Sequence, residues 1–177
     1  MQQDLEIVAE ALESKEKLSH FLRTIEPFIY QTAYYMTGKK MDAEDVTQDC
    51  LWKVCRSLSQ YQGQGSLRGW MHRVVVNTVR EQARKKKAQF VELNETLPAD
   101  GMSVEKQVET KMTEENLHQA IAALPENYRE VLVLRHIHDL SYQEIADTLQ
   151  LTEAQVKTRL FRGREKLRTL FTGGEEV

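Results

Sequence analysis

Apolar positions recur at helical spacing along most of the chain, and the pattern is sharpest over residues 140–168. Ile145, Ala146 and Leu149 fall on one face of a first segment. Val156, Leu160, Gly163 and Leu167 follow at spacings of four, three and four, the stripe of a second helix docked along one side. Ser141 with Glu144, and Thr152 with Gln155, spell two capping boxes, so two helices are predicted to start eleven residues apart. The other faces of the second helix carry Lys157, Arg159, Arg162, Arg164, Lys166 and Arg168 against only Glu153 and Glu165. A basic run alone usually marks a solvated face. With two caps, a one-sided stripe and Gly163 at the packed side, the pattern is that of a helix-turn-helix whose second helix enters a DNA major groove. Gln150 stands where such turns commonly place a glycine for φ > 0, a departure expected to cost about 1 kcal/mol or less.

The rest of the chain reads the same way. Leu5, Val8, Ala11 and Leu12 predict a helix over residues 4–17, and a second runs over 19–36, with Pro27 marking a start or kink. Residues 37–41 read as a loop, and Asp42 as the amino cap of a helix over 43–59 that offers Val46, Leu51, Val54, Cys55 and Leu58 to a core. Asp45, Gln48 and Asp49 share one polar face of it, which by itself is a solvated face near a helix amino end. Residues 61–69 form a polar loop with three glycines. Trp70 is expected to open a helix with Val74, Val75, Asn77 and Val79. An Asn among valines is either a hydrogen-bonded structural amide or a base-reading one. Residues 88–113 show little core periodicity. Beyond them, one helix bears Leu117, Ile121 and Leu124, and Pro125 begins another whose packed side is Tyr128, Val131, Leu132, Leu134 and Ile137. Residues 172–177 read as a frayed tail.

Composition agrees with an all-α chain: 177 residues, 41% hydrophobic, three prolines and no useful alternating β-branched run. A formal net charge of -3 excludes a globally basic nucleic-acid binder, but the charge is segregated. Arg68, Arg73, Arg80, Arg84, Lys85, Lys86 and Lys87 face only Glu81, and then Glu92, Glu95, Asp100, Glu105, Glu109, Glu114 and Glu115 outweigh Lys106 and Lys111. The expected organisation is two small helical domains, 1–88 and 113–177, joined by an acidic linker at 89–112. Cys50 and Cys55 point about 140° apart on a helix, suiting neither a disulfide nor a shared metal, and read as reduced core residues. No apolar run reaches the roughly 18 residues of a membrane span and no signal peptide is visible, so a cytoplasmic location is expected. Enzymatic signatures are missing: no phosphate-binding glycine loop, no metal-spaced His/Cys set, no nucleophile elbow. His136 and His138 face different directions and read as surface or packing residues. Neither a catalytic residue, a cofactor nor a metal is expected.

Four stretches in order give the chain a family resemblance: D-A-E-D-V-T-Q-D at residues 42–49, W-M-H-R-V-V-V-N at 70–77, L-P-E-N-Y-R-E-V-L-V-L-R at 124–135 and V-K-T-R-L-F-R-G-R-E-K-L-R at 156–168. They resemble the extracytoplasmic-function sigma factors of bacteria. That resemblance implies a transcription-initiation subunit that brings RNA polymerase core to promoter DNA. Its amino-terminal domain would read the −10 element and its carboxy-terminal domain the −35 element. Asp45, Gln48 and Asp49 match the face pressed on the polymerase clamp helices. The loop with Gln62, Gln64 and Ser66, and the adjoining Asn77, Arg80 and Arg84, match the capture of a flipped −10 base, with Trp70 a packing residue rather than a stacking platform. Lys157, Thr158, Phe161 and Arg162 match the −35 reading positions, while Arg159, Arg164 and Lys166 match phosphate grips or packing supports. An anti-sigma factor, often membrane-anchored, is implied as a regulatory partner. Ala154 and Gln155 replace the usual Gly-Thr, Leu51 a common Phe and Glu81 a common Asp, so a relative's promoter sequence does not transfer.

Melting about ten base pairs needs on the order of 14 kcal/mol at about 1.4 kcal/mol per step. Two small domains do not supply that alone, so the free chain is expected to bind promoters weakly. The competing reading is a stand-alone helix-turn-helix regulator, which leaves Asp45, Gln48, Asp49 and the glycine loop without a task.

Overall fold

A computed structural model of the chain describes residues 2–93 and 114–172. Among these residues all regular structure is helical: α1 (Gln2–Leu12), α2 (Lys15–Thr37), α3 (Lys40–Ser57), a 3₁₀ turn (Leu58–Gln60), α4 (Leu67–Leu93), α5 (Glu114–Ala123), α6 (Glu126–His136), α7 (Tyr142–Leu149) and α8 (Glu153–Thr172). The side chains of the expected linker, residues 89–112, lie outside the described residues, although α4 itself runs on to Leu93. The tail from residue 173 lies outside them entirely.

Local chemistry sets the boundaries, and several differ from expectation. The helix predicted over 4–17 is broken because Ser14, in an extended conformation, accepts the Lys17 N–H at 3.1 Å and starts α2. Pro27 lies inside α2 and starts nothing. The expected 37–41 loop shrinks to Gly38 and Lys39, so α3 begins before Asp42. That residue is not a cap: it sits in the first turn and pairs with Lys86 at 2.5 Å. Helix α4 opens at Leu67, three residues before Trp70, with Ser66 Oγ accepting the Gly69 N–H at 3.0 Å. Both capping boxes form, since Ser141 and Glu144 exchange hydrogen bonds, as do Thr152 and Gln155. Gln150 is left-handed at φ 57° and its N–H reaches the Ala146 carbonyl.

Two hydrophobic cores result. One gathers α1 to α4 around Ile29, Ala33, Val46, Cys50, Val54, Leu58 and Val75. Cys50 stacks in register with Val46 and Val54 and burial pushes its thiol up to about 11. Cys55 turns to solvent and is not a core residue, because the next step around α3 leaves the buried side. The other core packs α5 to α8 and reaches across to Tyr35, Met36 and Val76. The two units therefore meet. Helix α6 lies between α8 on one side and α2 on the other, which buries Glu130 to Leu134 on all sides rather than along a stripe. Gly163 fits the expectation of a packed face, as a Cβ there would lie 3.0 Å from Leu132 Cδ1. No helix of the described residues is long and apolar enough to cross a membrane.

Candidate nucleic-acid and polymerase interfaces

On α3, Asp45, Gln48 and Asp49 are exposed together, as their spacing requires. Asp49 accepts from Gln82 Nε2 at 2.9 Å, and the neighbouring Glu81 is bridged by Lys53 at 2.7 Å and Lys85 at 2.8 Å. Hydrogen bonds from those two ammonium groups hold the Glu81 carboxyl near 2. Two exposed apolar residues join this strip, Met41 and Trp52, with the Arg56 guanidinium 4.4 Å above the indole. The sequence reading missed both. Their signal was spacing: Met41, Asp45, Gln48 and Trp52 step by four, three and four along one face.

Gln62, Gln64 and Ser66 all point outward, while Tyr61, Gly63 and Leu67 between them are buried. Gly63 and Gly65 take φ of 74° and 82°, conformations that side chains resist, and the Tyr61 hydroxyl donates to the Gly65 carbonyl at 2.8 Å. Asn77 is exposed, so the buried structural amide is ruled out for it. Arg84 is also exposed, its Nε donating to the Arg80 carbonyl at 3.3 Å. Arg80 is engaged elsewhere. Its Nε and Nη2 each donate to Glu130 at 2.6 Å, and Glu126 approaches to 3.6 Å. Burial raises the Glu130 carboxyl above its ordinary range while Arg80 pulls the other way.

That ion pair belongs to a longer seam between the two units. Arg68 donates to the His138 carbonyl at 3.2 Å, Arg73 to the Asp147 carbonyl at 2.8 Å, and Arg129 to the Met36 carbonyl. A cleft of about 140 Å³ is lined by Gln64, Ser66, Trp70 and Arg73 from one side and Glu144 and Asp147 from the other. Beneath the seam, where Arg68 reaches the His138 carbonyl, His72 is wholly buried with both ring nitrogens unpartnered. Its ring lies edge-on to His138 and to Phe28, each at 4.6 Å. Thr32 donates its hydroxyl to the Phe28 carbonyl and so accepts from His138 Nε2 at 2.8 Å. No sequence signal marked this pair, because its members are 66 positions apart.

On α8, Lys157, Thr158, Phe161 and Arg162 form one exposed face, with the Phe161 ring 66% exposed. Arg159 is half-buried beside Asn127 and Tyr128. Arg164 reaches His136 Nε2 at 3.4 Å and Lys166 is free to solvent-facing contacts. Among the described residues, Phe161 belongs to neither hydrophobic core.

The comparisons with known proteins agree with this geometry. The Sigma-70 region 2 family matches residues 21–89, and Sigma-70, region 4 matches residues 114–167. The ECF RNA polymerase sigma factor SigE of Mycolicibacterium smegmatis is 35% identical over 144 residues, 79% of this chain but only 56% of that protein. SigW of Bacillus subtilis, an ECF RNA polymerase sigma factor, is 31% identical over 151 residues, covering 79% of this chain and 81% of SigW. Among solved structures, the sigma factor RpoE of Bartonella quintana in complex with the anti-sigma factor NepR has a similar fold, with a TM-score of 0.71 and 20% identity over 90% of this chain and 99% of that one. CnrH in complex with the cytosolic domain of CnrY gives 0.69 and 22%, over 97% and 99%. With regions 2 and 4 matched in order and SigW covered over most of its length, the chain belongs to the extracytoplasmic-function sigma factors of the sigma-70 family.

Proposed function

We propose that this sigma factor docks on RNA polymerase core through the α3 strip, reads −35 duplex DNA with α8, and captures unpaired −10 bases at the 62–66 loop. The observation that carries this reading is the separation of three exposed, differently built surfaces on one chain. An acidic and amide strip bearing an apolar Trp52 suits a protein partner, where an aromatic residue anchors and its polar rim orients. Lys157, Thr158, Phe161 and Arg162 suit base edges, each good contact being worth about 1–3 kcal/mol. Arg164 and Lys166, with Arg159 at the margin, suit phosphates, which set register without naming sequence. The −10 bases would be gripped by Gln62, Gln64 and Ser66, with Asn77, Arg80 and Arg84 along α4. The functional units are residues 1–88 and 113–177, with 89–112 as the connection between them, and the site of action is the cytoplasm.

In this arrangement the seam has a consequence for function. Arg80 cannot turn its Nε–Nη2 edge to DNA while that edge is on Glu130, and Glu144 and Asp147 present acidic groups to the capture loop. The free chain is therefore a poor DNA binder, and binding to core is what separates the two units. An anti-sigma factor, the kind of partner in the RpoE complex, would act by holding the chain away from core.

Co-purification with bacterial RNA polymerase core, followed by run-off transcription from genomic fragments, tests the reading. A stoichiometric complex starting transcripts at defined sites is expected. Replacing Asp45, Gln48 and Asp49 together by alanine abolishes the complex with the helical content unchanged; undiminished association would remove α3 from the polymerase interface.

A further inference from the structure

The 61–67 segment buries Tyr61, Gly63 and Leu67, and these positions share a support from far along the chain. The Leu67 N–H donates to Asp4 Oδ2 at 3.2 Å across 63 positions of sequence. Burial, together with the same Asp4 carboxylate, raises the Tyr61 phenol above its ordinary pKa, placing Asp4 against two of the three buried positions. The third, Gly63, is closed off by Leu5: a Cβ built on it would stand 3.4 Å from Leu5 Cδ1. Helix α1 is thus the back wall of the loop whose outward positions are Gln62, Gln64 and Ser66.

A loop with two left-handed glycines has little stiffness of its own. Its shape comes from the Tyr61 to Gly65 hydrogen bond and from what stands behind it. The Leu67 N–H is also one of the amides left without an intrahelical partner where α4 begins. By accepting it, Asp4 fixes both the end of the loop and the start of the helix that carries Asn77, Arg80 and Arg84. We propose that Asp4 is a positioning residue for −10 base capture, and that α1 is part of the −10 reader although it touches no DNA. Capture of a flipped base selects by pocket shape, and a pocket discriminates only when its frame is held to about 0.5 Å. The inference rests on the reading of residues 62–66 as the capture loop.

The test uses holoenzyme assembled from the full chain and polymerase core, on a promoter mapped by run-off transcription and its single-base substitutions. Asp4→Ala is expected to lower the preference for the native −10 bases at least about fivefold, the lower end of one good base contact. Asp4→Asn, which keeps an acceptor for Leu67, restores most of it. Affinity for core and discrimination at −35 stay at the wild-type level in both. Wild-type −10 discrimination in Asp4→Ala, alongside its loss in a Gln64→Ala/Ser66→Ala double variant, would overturn the role of α1 and leave base capture standing. Retention in the double variant as well would remove the capture reading and this inference with it. Equal losses at −10 and −35 in Asp4→Ala would assign the residue to stability alone and equally overturn the proposal.

Discussion

His72 and His138 show how single residues set the energetics of the seam. Burial lowers the His72 imidazole to about 3, helped by the charges of His138 and Arg68, and lowers His138 to about 4, with Arg68 adding to it and Asp139 opposing. In the unfolded chain both titrate near 6.5. The unfolded state therefore binds more protons below that pH. The stability these rings contribute is complete above about 6.5 and is lost as pH falls toward 4 and then 3, by about 1.4 kcal/mol per unit for each ring. Between pH 7.5 and 5.5 the loss is about 3 kcal/mol, read as a fall in the urea midpoint. His72→Phe keeps an aromatic ring in the same place and should remove about half of that slope. A midpoint unchanged by pH would mean that these imidazoles are solvated and the seam is not closed.

At the scale of elements, what could be read from sequence was what is decided within four residues. The capping boxes at Ser141 and Thr152, the stripe on α8 and the polar face of α3 are all local patterns, and all formed. The start of α2 was missed because the apolar spacing of α1 continues past the Ser14 cap, and the start of α4 because a glycine-rich stretch hides where the helix takes over. Long-range facts were illegible: Glu130 looked like any surface glutamate of an amphipathic helix until α4 covered it with Arg80. Gly38 is another such position. It ends α2 at φ 74°, and a Cβ there would fall 2.5 Å from Ala122 Cβ on α5. Gly38→Ala should cost about 1–2 kcal/mol for the left-handed backbone and a further 1–3 kcal/mol or so for overpacking, seen as faster amide exchange in α5 than in α3. Equal exchange in both helices, at wild-type stability, would mean that α5 does not dock on α2.

For the whole molecule, the proposed function rests on surfaces rather than cavities, and the two units meet along a closed seam. Three arginines of the amino-terminal unit, Arg68, Arg73 and Arg80, donate across it to oxygens of the carboxy-terminal unit, and Arg129 donates back to the Met36 carbonyl. Removing one partner of the Arg80–Glu130 pair leaves the other charge uncompensated, a change that commonly costs about 3–5 kcal/mol when the pair is buried, so Arg80→Ala is expected to destabilise the chain, by less than that range because Arg80 is part-exposed, read as a fall in the urea midpoint. The most direct measurement is binding to a forked promoter fragment with its −10 strand unpaired, by fluorescence anisotropy, for the free chain and for the chain on RNA polymerase core. The account predicts weak binding with little base preference for the free chain, and tight binding that discriminates among −10 bases once core is present. Tight, base-selective binding by the free chain, unaffected by core, would contradict both the engagement of Arg80 by Glu130 and the dependence on polymerase.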